Sequence, residues 1–335
     1  MRAIRWAALG VAAAVVFAGG VAAAVLHSVA PRSGAAEVAA LVIPELPSPG
    51  SISWKIAHDQ RVNVLLLAYG GSGGDDPNYT DTILVLSIRP HPLTATVLSL
   101  PRHLRVDIPA PVRGTISALL YATYSFGKAQ DSRFLRSRWL TATGPGDLVA
   151  ETVSETIDQP IDGWVALDED AFAAIIDALG GVRLNVPAAL DDSQYPVEGS
   201  NRTMHVHFDP GAQTMDGTRA LEYARSRLST SETDRAARQE LVLVAMLQSL
   251  HRFHPGLDVV TAVGPISSGV RTNLVPADAH NLASVTAGID FSRVNRVRLE
   301  DSGLLETDFE GPLETLVPIA GNFDPIRSYV AAQLP

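Results

Sequence analysis

The stretch VNVLLLAYGGSGGDDPNYTDTILVLSIRPHPLTATVLSL (Val62–Leu100) decides the architecture. Val62–Ala68 and Thr82–Ile88 are short apolar runs rich in branched side chains, and Thr94–Leu100 alternates behind a turn holding Pro90 and Pro92. Runs of this kind between turn formers read as strands, the last two as a hairpin. Between the first two lies AYGGSGGDDPNYTD (Ala68–Asp81), Gly-rich and acidic, which reads as a loop at a strand end. Working outward, helical patterns occupy about 116–126 and 147–157, a strand 164–167, a helix 169–179 stopped by Gly180 and Gly181, and a strand 182–186. Two further helices cover 216–224 and 233–252, Pro276 and Asp278 sit where another helix starts, and 293–301 alternates like a strand. Strands alternating with helices predict an α/β or α+β layered domain, a central mixed β-sheet flanked by helices, over residues 61–335. The segment 130–145, with Arg133, Arg136 and Arg138, reads as a solvated insertion between helices.

The N-terminus carries a different signal. Arg2 and Arg5 precede 21 uncharged residues, Trp6–Leu26, and the next charge is Arg32. At 1.5 Å per residue that run spans a hydrocarbon core roughly 30 Å thick. Positive charge before the span predicts a cytoplasmic N-terminus (1–5), a single-pass anchor (6–26) and an extracytoplasmic remainder. A cleaved signal peptide is the rival reading, disfavoured because the run exceeds the usual apolar region of such peptides. Residues 27–60, with Pro31, Pro44, Pro47 and Pro49 among Ser, Gly and Ala, read as a linker.

Composition excludes several functions. The 335 residues carry a formal charge of −10, with 24 Arg against 2 Lys and no Cys. An acidic chain lacks the basic surface that nucleic acid requires, and zero Cys removes disulfides, thiolate metal sites and a Cys nucleophile. The Arg excess fits a GC-rich genome, or else marks sites where a planar guanidinium holds an oxyanion. On the helix near 233–252, Arg235, Arg238 and Gln239 fall at i, i+3 and i+4, on one face of its opening turns. Arg225 and Arg227 precede it two apart, so four Arg fall within 14 residues. They read either as a convergent polyanion site or as a solvated face paired with Glu222, Glu232 and Asp234. Asp75, Asp76 and Asp81 on the Gly-rich loop suit a hard divalent cation, although the same residues are ordinary turn formers. No Gly-Lys-Ser/Thr follows the glycines, which argues against a P-loop. His205 and His207 alternate in a strand with Asp209 beyond, a weak metal motif without a third spaced histidine.

Taken together, the blocks resemble the LytR–CpsA–Psr family of cell-wall glycopolymer transferases. The likeness runs in order through NVLLLAYGG (Asn63–Gly71), TDTILVLSI (Thr80–Ile88), LSLPR (Leu98–Arg102), WVALD (Trp164–Asp168) and IIDALGGV (Ile175–Val182). HFDPGAQTMDGTRALEYARSR (His207–Arg227) and DRAARQ (Asp234–Gln239) complete it. The resemblance implies transfer of a glycan-phosphate from a polyprenyl-pyrophosphate-linked glycan to a peptidoglycan sugar hydroxyl, releasing polyprenyl phosphate. It implies that Arg102, Arg225, Arg227, Arg235, Arg238 and Gln239 bind the pyrophosphate, with Arg102 and Arg225 catalytic. Asp81 matches an acid that holds Mg2+ or takes the proton of the entering hydroxyl, and Asp75 is the candidate second metal ligand, ahead of Asp76. The lipid would lie in an apolar groove, for which the surfaces of 117–127 and 148–157 are candidates.

Departures fall in the loop-and-strand half. Where many members place an acid after the first strand, this chain has Ala68, Tyr69 and Gly70. An expected Arg is Tyr79, an acid after Arg102 is His103, and an expected Asn is Ser117. Two other functions therefore stand beside the transferase: a pyrophosphatase on the same substrate, and a non-catalytic member that only binds the lipid pyrophosphate.

Overall fold

A computed structural model describes residues 47–70, 78–110, 114–131, 133–197, 200, 202–226, 228, 232–250, 269–289, 294–308 and 315–334. The proposed anchor at 6–26, Asp75, Asp76 and Arg227 lie outside the described residues. Among the described residues no helix is long and apolar enough to cross a membrane.

Helix α1 (Ile52–Ala57) comes first, capped by Ser51, whose hydroxyl accepts from the Trp54 amide. It lies inside the stretch read as linker, and that reading is corrected: Ile52 is buried in the core, and Ser53 donates to Asp278 from both its amide and its hydroxyl. Strands β1 (Val62–Tyr69), β2 (Thr80–Arg89) and β3 (Thr94–Ser99) follow as expected from the sequence. β4 (Arg105–Ile108) and β5 (Ile116–Leu119) form a small hairpin, and then come α2 (Thr123–Lys128) and α3 (Gly144–Ile157). The sequence pattern had placed 116–119 in a helix; their pairing with 105–108 makes them strand instead. The 130–145 insertion is also less solvated than expected, since Leu135 and Trp139 are buried and the Trp139 indole donates to the Pro109 carbonyl.

The chain continues through β6 (Gly163–Asp168), α4 (Glu169–Ala178), β7 (Val182–Val186), β8 (Leu190–Pro196), β9 (Thr203–Phe208) and β10 (Gly211–Met215). Next are α5 (Gly217–Arg225), α6 (Glu232–Leu250), β11 (Val270–Thr272) and α7 (Pro276–Ala287). β12 (Asn295–Arg298), β13 (Leu305–Asp308), β14 (Thr315–Pro318) and α8 (Asp324–Gln333) complete the order.

Among the described residues six strands make the central sheet, in the order β11-β6-β1-β2-β3-β12. β1 runs parallel to β6 and β3 parallel to β12, whereas β2 is antiparallel to both neighbours, so the sheet is mixed. Its faces bury separate cores. Val62, Val64 and Leu66 face Ile175, Tyr223, Val242 and Leu282 of the helices on one side. Leu65, Leu67 and Tyr69 face Leu148, Val153, Tyr124 and Ile326 on the other. A strand covered on both faces must be apolar at consecutive positions, which is why β1 reads as an unbroken run and not as an alternation. The apolar residues of 117–127 and 148–157 considered for a lipid groove, among them Leu120, Tyr124, Leu148, Val149 and Val153, belong to this second core.

Candidate functional site

The site is built at one end of the central sheet, where β1, β3 and β6 finish and β2 and β11 begin. Pairing puts Tyr69 of β1 opposite Thr80 of β2 and beside Asp168 of β6. The β1–β2 register slips there: Ala68 pairs with Thr82 and Tyr69 with Thr80, leaving Asp81 as the extra residue of a β-bulge. A bulge twists the strand locally and re-aims the side chain it carries. The Asp81 carboxylate, 27 % exposed, is thus presented at the sheet end.

Two guanidiniums converge on it. Arg102, in the turn after β3, donates from Nη1 to Asp81 Oδ1, and Arg235 Nη1, on the first turns of α6, stands 3.5 Å from the same oxygen. Arg235 is buried, so a charge held there depends on charged or polar neighbours to offset lost hydration. Arg102 is held from behind. Its Nε donates to His103 Nε2 at 3.3 Å, and its guanidinium lies 5.2 Å from the centre of the Tyr121 ring. Tyr121 in turn meets Tyr79 edge-on at 4.5 Å, and its carbonyl accepts from the Thr80 hydroxyl at 3.2 Å. His103 cannot supply a carboxylate's charge, but its ring nitrogen accepts a hydrogen bond from the Arg102 guanidinium.

Arg225 ends α5, and its Nη1 donates to Glu169 Oε2 at 2.6 Å. Glu169 opens α4 directly after Asp168, which caps that helix by accepting from the Ala171 amide. β2 and β6 are separated by β1 alone, so at about 4.8 Å per strand the Asp81 and Asp168 positions lie about 10 Å apart. The Arg102–Asp81–Arg235 group and the Arg225–Glu169 pair therefore share one end of the sheet.

Arg238 does something different from what its spacing suggests. It is buried, its Nε donates to the Tyr223 carbonyl at 2.9 Å, and its Nη2 donates to the Ser226 carbonyl. Both are carbonyls at the end of α5, where a cation complements the helix dipole. Burial lowers the Arg238 pKa from its usual value, yet guanidinium basicity keeps the group charged. It fixes the end of the helix that carries Arg225. Gln239 is half-buried beside it on α6.

Tyr69 and Tyr124 stack with ring centres 4.9 Å apart, and burial raises both pKa values, so both hydroxyls stay protonated. Sequence reasoning missed Glu169, Tyr121 and Tyr124. Glu169 follows the WVALD block, where two acids open a helix, and that is the signal which marks it. Nothing in the local pattern marks the tyrosines.

Among the described residues the cluster holds three guanidiniums, those of Arg102 and Arg225 partly exposed and that of Arg235 buried behind Asp81, with two carboxylates as present partners. Such a site can exchange a carboxylate contact for a phosphate oxygen without any new buried charge. Asp81 is a hard oxygen donor of the kind that Mg2+ takes together with phosphate oxygens and water, so its chemistry fits that ion.

Residues 34–311 match the model of the LytR_cpsA_psr family. A polyisoprenyl-teichoic acid–peptidoglycan teichoic acid transferase, TagU of Oceanobacillus iheyensis, is 29% identical over 248 residues, 73% of this chain and 68% of that protein. The like-named transferase TagV of Bacillus subtilis is 26% identical over 259 residues, 76% of this chain and 60% of that protein. The chain thus spans about two thirds or less of these relatives' own length. The crystal structure of B. subtilis TagV superposes with a TM-score of 0.60 at 22% identity, covering 82% of this chain and 98% of that one. A structure described as TagT bound to LI-WTA gives 0.58 at 20% identity, covering 87% and 94%. These structural likenesses carry the fold, and the match across 34–311 carries the family: the chain belongs to the LytR_cpsA_psr family.

Proposed function

We propose that this protein transfers a glycan-phosphate from a polyprenyl-pyrophosphate-linked glycan to a peptidoglycan sugar hydroxyl, releasing polyprenyl phosphate. The observation that carries the reading is the meeting of Arg102 and Arg235 on Asp81 at the sheet end. Family membership supplies the substrate class, since the related proteins are named for transfer of polyisoprenyl-linked teichoic acid to peptidoglycan.

Phosphoryl transfer asks the protein mainly for positioning and charge neutralisation. Arg102, Arg235 and Arg225 would hold the pyrophosphate oxygens, and Arg227 joins them in this reading. As the bond to the leaving phosphate breaks, negative charge grows on polyprenyl phosphate, and bidentate guanidinium contacts offset it where it develops. Arg238 serves from behind, keeping α5 and hence Arg225 in place, with Gln239 alongside. Asp81 would hold Mg2+, with Asp75 as a second ligand; when bound, the ion neutralises phosphate charge. The entering sugar hydroxyl loses its proton as its oxygen bonds to the phosphorus, to the Asp81 carboxylate where Mg2+ does not hold that group and otherwise to solvent water. The stretch 6–26 would anchor the chain so that this site works outside the membrane, within reach of both the lipid carrier and the wall.

The test uses the full chain in detergent, a radiolabelled lipid-linked oligosaccharide and a peptidoglycan acceptor. Label on the acceptor through a phosphodiester supports transfer. Free sugar phosphate as the product would make the protein a pyrophosphatase, and retention of unreacted lipid, lost in Arg225→Ala, would make it a binding protein.

A further inference from the structure

We propose that Asp191, His205 and His207 form a binding site for a divalent transition-metal ion of the Zn2+ type on the outer face of the β8–β9 hairpin. This site is separate from the arginine cluster and does not depend on the transfer reaction.

Strand register assembles it. Asp191 pairs directly with His207, and His205, two residues along the same strand, is its diagonal neighbour. Alternation sends Leu190, Asp192, Val206 and Phe208 inward and the three polar side chains outward. His205 Nε2 lies 2.8 Å from Asp191 Oδ1, and His207 Nδ1 lies 3.0 Å from Asp191 Oδ2. One ligand atom from each of the three lies within 4.8 Å of the others. Two donors bound to one tetrahedral Zn2+ at 2.0–2.1 Å stand roughly 3.3 Å apart, so drawing in three donors that now lie within 4.8 Å of one another takes side-chain shifts on the order of 1 Å, which exposed side chains can make.

The donor chemistry selects the ion. Two imidazoles and one carboxylate suit Zn2+, Ni2+ or Cu2+, whereas Mg2+ and Ca2+ ask for oxygen ligands. A further carboxylate stands where metal sites commonly have one. Asp209 Oδ1 is 3.2 Å from His207 Nε2, the ring nitrogen that would face away from the ion, and such a partner orients the ring and strengthens it as a ligand. Asp191 and Asp209 thus set two carboxylates beside the two imidazoles. As plain surface pairs these contacts would add little to stability, because exposed ion pairs are weak. The hairpin itself is held firmly: Arg219 donates from Nη2 to the His207 carbonyl and stacks on Phe208 at 3.8 Å. The ligands therefore stand on a braced backbone with their heads in solvent, and three protein ligands leave a fourth position open for water or an outside donor.

Isothermal titration of the chelator-treated full chain with Zn2+ tests the proposal. The expected result is uptake at one site that the double variant His205→Ala/His207→Ala lacks, with each single variant at least tenfold weaker. Asp209→Asn should weaken binding about tenfold while keeping the stoichiometry. NMR of the wild-type ring nitrogens needs no variant and should show Zn2+-dependent shifts at His205 and His207. Absence of uptake, uptake undiminished in the double variant, or shifts confined to other histidines would overturn it.

Discussion

Asp81 sits between two arginines and the phosphate they are proposed to bind, so Asp81→Asn separates two roles of one carboxylate. At 3.5 Å and an effective dielectric near 20, the Asp81–Arg235 attraction is on the order of 5 kcal/mol before desolvation is subtracted. Asp81 is 27 % exposed, which screens it, and Arg102 shares the same oxygen, so a net loss of about 1–3 kcal/mol in unfolding free energy is expected. The effect on anion binding has the opposite sign. A carboxylate about 6 Å from a bound phosphate repels it by roughly 3 kcal/mol at the same dielectric, and screening halves that. In EDTA, inorganic pyrophosphate should therefore bind Asp81→Asn about tenfold more tightly than wild type, and should raise the variant's Tm further. With Mg2+ the order reverses, because wild type gains a metal-bridged contact that the variant lacks. Transfer should fall a hundredfold or more in the variant. Calorimetric titration with pyrophosphate, with and without Mg2+, reads both arms. If the variant binds pyrophosphate no more tightly than wild type in EDTA, Asp81 does not compete with the anion for Arg102 and Arg235, and the site is misread.

Further outcomes follow from the same geometry. Arg225→Ala should weaken pyrophosphate binding at least a hundredfold, whereas Glu169→Gln, which removes the charge of its 2.6 Å partner, should preserve or tighten it; equal losses in both variants would make the pair purely structural. Arg238→Ala should cost about 2–4 kcal/mol in urea unfolding, and Arg238→Lys should recover little, since a guanidinium donates to two separate carbonyls and an ammonium does not match that fork. Gly217→Ala should cost about 2 kcal/mol or more, because a Cβ there would sit inside contact distance of the Ala173 carbonyl; a neutral result would mean that α4 and α5 can separate freely. Glu155 is exposed, yet partial desolvation first, and then the neighbouring Glu151, raises its pKa. The stability tied to its proton is full below the unfolded value and lost as pH rises through the folded one, so Glu155→Gln should raise Tm at pH 7 and leave it unchanged at about pH 3; equal gains at both would assign the effect to something other than charge.

The strands were legible because burial on both faces imposes unbroken apolar runs, and β1, β2 and β3 fall where those runs predict. The stretch 116–119 was not, since Ile116–Leu119 satisfies either period and only its pairing with 105–108 decides between them. Spacing along α6 put Arg235 and Arg238 on one face correctly, but spacing says nothing about what stands opposite. One guanidinium meets Asp81 and the other turns back to the carbonyls of α5. Asp81 was visible as an acid, whereas its presentation depends on a bulge that only the β1–β2 register reveals. Asp191 was invisible as a partner of His205 and His207 because the link runs across a hairpin and not along the chain.

The two cores on either side of the sheet bear on how the site behaves as a whole. Arg102 stands on a turn rooted in one core through Leu100 and Leu104, while Arg235 rides a helix rooted in the other through Val242 and Met246. The arginines are thus two jaws set in different foundations, and Asp81 is the spacer that holds their gap. A substitution deep in either core, far from any phosphate, would change that gap by moving one jaw alone. Selection for grip on the lipid carrier would then act on packing residues as well as on the arginines, and amide exchange in one layer would respond to ligand contacts made by the other.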